Sequence, residues 1–186
     1  MEQKRIDVCC VFPVQSRAPR QMIKISLAKA KKNKLFYFVV TGVIFRSSDK
    51  RCLILKRSER EVVHPGLWGV IGGKLEWQDL PESKITRWNF DIPNWEEVIE
   101  KLLIREAEEE SGLKVSDPKY LTSVAYVRTD GVPVVCPKFA LMYKSGKVKL
   151  APEFDDFTWV NKKEVKNYQV IKGIDKEISL AIVAYS

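Results

Sequence analysis

Residues 94–113 (NWEEVIEKLLIREAEEESGL) constrain this chain more than any other stretch, because they predict a helix whose inward face changes chemistry half way along. Asn94, with Pro93 before it and Glu97 three residues on, has the pattern of an N-cap and capping box. Gly112 stands where a left-handed C-terminal cap belongs. Between them Val98, Ile99, Leu102 and Leu103 form one apolar stripe. At about 100° of rotation per residue, Glu106, Glu109 and Glu110 continue that stripe through the last turn. The macrodipole disfavours anions at that end by about 0.3–1 kcal/mol each. Like charges three and four residues apart add repulsion.

A solvated acidic face is the plain explanation for a Glu-rich helix. Here the outer face already carries Glu100, Lys101 and Glu108. The inward carboxylates need another reason, and a hard divalent cation supplies one. Clustered oxygen ligands suit Mg²⁺, with Mn²⁺ as the alternative.

The run Arg105-Glu106-Ala107-Glu108-Glu109-Glu110-Ser111-Gly112-Leu113 resembles the R-E-U-x-E-E-x-G-U end of the box that defines the Nudix (MutT-like) hydrolases, with U an apolar residue. Seven residues separate Glu97 from Arg105, as the box requires. Upstream, residues 64–76 (HPGLWGVIGGKLE) are similar to the family's G-L-W-x-x-P-G-G-K-x-E approach, with Ile71 in place of the usual proline. The box puts five residues between its glycine and first glutamate. Here 23 separate Gly73 from Glu97, an insertion of 18.

The resemblance implies Mg²⁺-dependent hydrolysis of a phosphoanhydride by water. Glu106, Glu109 and Glu110, with the carbonyl of Gly72, would hold the metal, and Arg105 would keep the glutamates from splaying apart. Glu97 would serve the scaffold. One carboxylate must accept the proton of the attacking water. Glu109 is the candidate and Glu106 the second. Family members also place a carboxylate in a loop like that of Glu153, Asp155 and Asp156, as ligand or base. Spacing does not choose among the three, and Glu153 is taken as the candidate.

The rest of the chain reads as alternating elements. Residues 35–45 (LFYFVVTGVIF) are β-branched and aromatic and predict a central strand. A turn at 47–50 leads to a second strand at 52–56. Arg57 and Arg60 follow it, either as plain surface or as cations facing substrate phosphates; Arg57 is the substrate-binding candidate. Paired Gly72 and Gly73 let backbone approach a ligand closely. His64, the only histidine, reads as a loop residue. Strands at 120–128, 132–144 and 157–160 follow the helix, with a hairpin turn at 129–131. Asn161 and Glu164 form a second capping pattern. Ile174, Ile178, Ala181, Ile182 and Tyr185 stripe a last helix. This order predicts an α+β chain, a mixed β-sheet flanked by helices. It agrees with the α/β/α sandwich that the resemblance implies.

Of the net charge of +8, residues 1–34 carry +7: nine Lys or Arg against Glu2 and Asp7. Residues 1–34 thus read as a basic appendage to a domain at 35–186. It is either an arm for nucleic acid or a solvated segment with a short helix at 21–32. The solvated reading is preferred because the charges are not interleaved with a run of aromatic residues, Phe12 being the one aromatic there. Cys9, Cys10, Cys52 and Cys136 have no metal-site spacing, which points to reduced thiols and a cytoplasmic protein. No apolar run is long enough to span a membrane, and no signal peptide is recognisable. The insertion, about 77–93, carries Trp77 and Trp88. It is either a lid whose rings stack on a nucleobase or a loop pinned by them.

The expected substrate is a nucleoside diphosphate linked to another moiety, such as an NTP, a dNTP or a nucleotide sugar. Outside the box no subfamily marker is present. The proline typical of ADP-ribose hydrolases is absent, with Arg128 near that position, as is the tyrosine typical of dinucleoside polyphosphate hydrolases. The alternative is a non-catalytic Nudix module that binds nucleotide or RNA. The intact set of Arg105, Glu106, Glu109 and Glu110 argues against it.

Overall fold

The structure is a computed structural model that describes residues 11–12, 23–24, 29–81 and 84–186. The chain divides into two compact units, Met1–Phe36 with Glu76–Val98, and Tyr37–Leu75 with Ile99–Ser186.

In the first unit β1 (Val11–Phe12) pairs antiparallel with β2 (Ile23–Lys24). Within the helix expected at 21–32, Ile23–Lys24 is therefore strand, and residues 21–22 and 25–28 lie outside the described residues.

In the second unit β3 (Tyr37–Arg46) and β4 (Arg51–Arg57) form a hairpin that stays paired only near its turn, at Phe45–Cys52 and Arg46–Arg51. The two strands then splay, and residues 68–74 fill the gap. β5 (Trp68–Gly69) pairs with β4, and β6 (Ile71–Lys74) pairs with β3. The insertion belongs to the first unit. There β7 (Arg87–Asn89) and β8 (Ile92–Asn94) make a second small hairpin, where sequence suggested a loop. Thr86 anchors it: its N–H and Oγ1 donate to the Asn94 carbonyl at 2.9 and 3.0 Å. Trp95 Nε1 donates to the Pro81 carbonyl at 2.8 Å.

Helix α1 (Val98–Ser111) begins three residues later than the capping pattern predicts. Asn94 is the last residue of β8, and Glu97 has a left-handed φ of 58°, so neither caps the helix as expected. The other end matches expectation. Gly112 has φ 69°, and its N–H donates to the Glu108 carbonyl at 2.8 Å.

After α1, β9 (Lys114–Val127) and β10 (Pro133–Ser145) form a long antiparallel pair. β11 (Phe154–Val160) returns to pair with β4, and helix α2 (Ile174–Ala184) closes the chain. The strand order is β11-β4-β3-β10-β9, with only β3 and β10 parallel, so the sheet is mixed and β3 is central. Alternation on β3 sends Val40 and Ile44 to one face, and Val43 and Phe45 to the other. The first face packs Leu102, Leu103 and Ala107 of α1, and the second packs Ile174, Ile178 and Ala181 of α2. Each face buries one helix, as the sandwich architecture requires. Among the described residues no helix is long and apolar enough to cross a membrane.

Candidate active site

Small residues bring α1 down onto the sheet. A Cβ added at Gly42 would lie 2.8 Å from Leu141 Cδ1 and 3.1 Å from Leu103 Cδ2, so only glycine admits the helix at this depth. On the helix, Ala107 and Ser111 are fully covered, and Ser111 Oγ donates to the Ala107 carbonyl at 2.5 Å. They carry the interior stripe past Leu103, in place of the large apolar residues of the first turns.

That approach sets Glu106 and Glu110 against the glycine pair. The N–H of Gly72 donates to Glu110 Oε2 at 3.0 Å. The Glu106 carboxyl group lies over Gly73, where any Cβ would collide with it. Glu109 does not share this position. Its side chain is 61% exposed against 15% for Glu106, which corrects the expectation that all three face inward. One step of about 100° separates Glu109 from Glu110, enough to turn it from the sheet to the rim of the helix. Arg105 bridges the two situations, with Nη2 3.0 Å from Glu106 Oε1 and Nε 3.9 Å from Glu109 Oε2.

Burial pushes the Glu110 carboxyl up to about 8. The Gly72 N–H and the Arg57 charge oppose that shift, while the Glu106 and Glu153 charges add to it. Glu153 arrives because the segment before β11 is laced to the end of α1. Lys149 N–H donates to the Ser111 carbonyl at 2.9 Å, and Ala151 N–H to the Glu110 carbonyl at 3.1 Å. The Glu153 carbonyl in turn accepts from Ser58 N–H at 2.8 Å. Asp155 and Asp156 are exposed on β11, and Asp156 Oδ1 accepts from the N–H of Phe157 at 2.7 Å.

Arg57 is engaged rather than free. Its Nη2 donates to Glu61 Oε2 at 2.6 Å and its Nε to the Val63 carbonyl at 2.7 Å, which staples the loop 58–66 to the end of β4. Sequence reading missed this use. The only signal for it is a carboxylate four residues beyond the arginine, outside any helix. Arg60 lies beside Ser58, with Nε 3.3 Å from its Oγ. His64 is an exposed residue of the same loop, with φ 54°. In the first unit, Trp77 opens a short 3₁₀ turn (Trp77–Asp79) and Trp88 sits in β7, both with exposed rings.

The donor set fits a hard cation. It consists of carboxylate oxygens, those of Glu106 and Glu110 half-buried, with glycine backbone beside them. Among the described residues, no three His, Cys, Asp or Glu side chains converge tightly enough to hold a metal by themselves. Mg²⁺ does not require such a cage, because it keeps water and takes substrate oxygens as ligands.

Carboxylates thus gather where the end of α1 meets the glycine pair of the sheet. The NUDIX domain family model matches residues 36–179, and the chain belongs to the Nudix family. Its activity class is that of the Nudix pyrophosphohydrolases. No curated protein sequence matches it. Among solved structures it is similar to the MutT NUDIX hydrolase of Burkholderia pseudomallei, at 20% identity and TM-score 0.58. That match covers 79% of this chain and 98% of the other. The NUDIX domain of Shewanella oneidensis NrtR, solved with ADP ribose, is 17% identical with TM-score 0.62, over 86% of this chain and 96% of that one. The Ap4A hydrolase of C. elegans is 14% identical with TM-score 0.55, over 81% and 99%.

Proposed function

We propose that this chain hydrolyses a phosphoanhydride bond in a nucleoside diphosphate linked to another moiety, an NTP, a dNTP or a nucleotide sugar, with Mg²⁺ as cofactor. The observation that carries this reading is the carboxylate cluster on the glycine pair, with Glu110 accepting the Gly72 N–H and Glu106 lying over Gly73. A protein gains nothing in stability from such a cluster, since each like charge costs free energy. A divalent cation reverses that cost. When bound, it neutralises phosphate oxygens and lowers the pKa of water.

The residues of the chain divide the work. Glu106 and Glu110, with the Gly72 carbonyl and Glu153, would hold the cation. Gly72 N–H fixes one oxygen of Glu110, so that the other is free to turn toward a ligand. Glu109, exposed on the rim, takes the proton of the attacking water. Arg105 keeps Glu106 and Glu109 in fixed relation. Arg57 contributes positive charge toward the phosphates while holding its loop. Within the first unit, considered by itself, Trp77 and Trp88 have exposed rings of the kind that stack on a base. ADP ribose in the NrtR domain and the Ap4A activity of the worm enzyme point to the same general substrate class. Buried, unpaired Cys52 and Cys136 agree with a reducing, cytoplasmic setting.

The test is phosphate or pyrophosphate release from a panel of nucleotides with Mg²⁺, comparing the wild type with Glu109→Gln. The reading predicts turnover of at least one substrate, lost in the variant. No turnover on any substrate, with tight RNA binding that disappears on deleting residues 1–34, would instead establish a non-catalytic RNA-binding module.

A further inference from the structure

The two edges of the main sheet are guarded differently. β11, at one end, is seven residues long, and it carries Asp155 and Asp156 and a register irregularity between Phe154 and Asp156. Charges, short length and bulges are the usual means of keeping an edge from pairing with another chain. β9, at the other end, is 14 residues long, and among the described residues it pairs only with β10. Its first half is guarded in the same way. It carries Lys114, Asp117, Pro118 and Lys119, Asp117 has φ 52°, and the register with β10 slips repeatedly. Its second half, Thr122, Ser123, Val124, Ala125, Tyr126 and Val127, has no charge, proline or irregularity and pairs regularly with Lys138 back to Pro133. Val124, Tyr126 and Val127 are 43%, 47% and 69% exposed.

An exposed row of N–H and C=O groups is a ready template for another strand. We infer that residues 122–127 form a dimerisation edge, joining antiparallel to the same stretch of a second copy across a two-fold axis. The sequence is self-complementary for this. A two-fold pairing keeps both copies of a residue on the same face, so the axis passes through a residue. Centred on Ala125, it sets Val124 of each copy opposite Tyr126 of the other. Aromatic and β-branched residues are favourable cross-strand partners. Ser123 then meets Val127, Thr122 meets Arg128, and no charge faces a like charge. The partner this edge fits is thus a second copy, and the sheets of the two would run on as one.

Sedimentation velocity of the full chain over a dilution series tests this, with Val124→Lys and Ala125→Pro beside the wild type and thermal melts as a check on folding. Dimer mass is expected for the wild type, falling to monomer on dilution, and monomer throughout for the variants. Ala125→Cys gives a second readout that leaves the strand intact. With oxidised glutathione it should cross-link two copies, whereas Thr129→Cys, in the turn, should not. A wild type that is monomeric at every concentration overturns the inference. So does a dimer that persists in a folded Val124→Lys, or one that Ala125→Cys fails to cross-link.

Discussion

Glu110 and Glu177 are the same residue type in the same kind of place, a helix packed on one face of the sheet, yet they are satisfied in opposite ways. Glu177, on α2, is 5% exposed, and its Oε1 lies 2.5 Å from Lys138 Nζ. Burial raises its pKa and the lysine draws it back. Glu110, on α1, accepts the Gly72 N–H and has the Glu106 and Glu153 charges near it, with the Arg57 charge opposing them. One face closes its charge within the protein. The other gives its carboxyl a backbone N–H and, among the described residues, no lysine at hydrogen-bond distance, and under the proposed function that difference belongs to a ligand. Burial alone does not distinguish the two; the partner within reach does.

The largest effect expected from this contrast is on turnover. Glu109→Gln should lower kcat by about 10²–10⁴-fold, the usual range for losing a positioned base. Its melting temperature should hardly move, because the side chain is exposed. On the other face the outcome reverses. Lys138→Met leaves Glu177 buried and unpaired and should cost about 3–5 kcal/mol in denaturant unfolding. The double variant Lys138→Met with Glu177→Leu should recover most of that loss. Equal destabilisation by Glu110→Gln would break the comparison, since removing an uncompensated charge should leave stability level or raise it.

A pH series sharpens the same point. The Glu110 carboxyl stands at about 8 in the folded chain, against an ordinary 4.5. A carboxyl raised on folding is protonated in the folded state while the unfolded chain has already ionised. Its contribution is therefore complete below about 4.5 and is lost as pH rises toward 8. Without divalent cation, the wild type should lose stability across that window relative to Glu110→Gln, and Mg²⁺ should flatten the difference. The smallest effect belongs to the loop staple. Glu61→Gln removes the half-exposed pair with Arg57 and should cost less than about 1 kcal/mol.

Much of this arrangement could be read from the chain. The order of strands and helices, the central position of 35–45 and the left-handed Gly112 follow from local composition and turn chemistry. What escaped depends on tertiary context. Asn94 and Glu97 satisfy the capping pattern, but the hairpin β7–β8 needs Asn94 for pairing with Arg87 and postpones the helix. In sequence the inward stripe runs on through Glu109, because Ala107 and Ser111 are too small to stand out as core among large apolar residues. They are the residues that let the helix settle. The Lys138–Glu177 pair joins residues 39 apart and leaves no local trace.

The central claim is that Glu110 is an open half of a cation site. Its most direct test is Mn²⁺ binding at neutral pH, followed by electron spin resonance of the free ion, with proton release measured in weak buffer. The wild type should bind Mn²⁺ and release protons as Glu110 ionises, and Glu110→Gln should bind much more weakly without that release. Equal Mn²⁺ affinity in both proteins, or none in the wild type, would contradict the account.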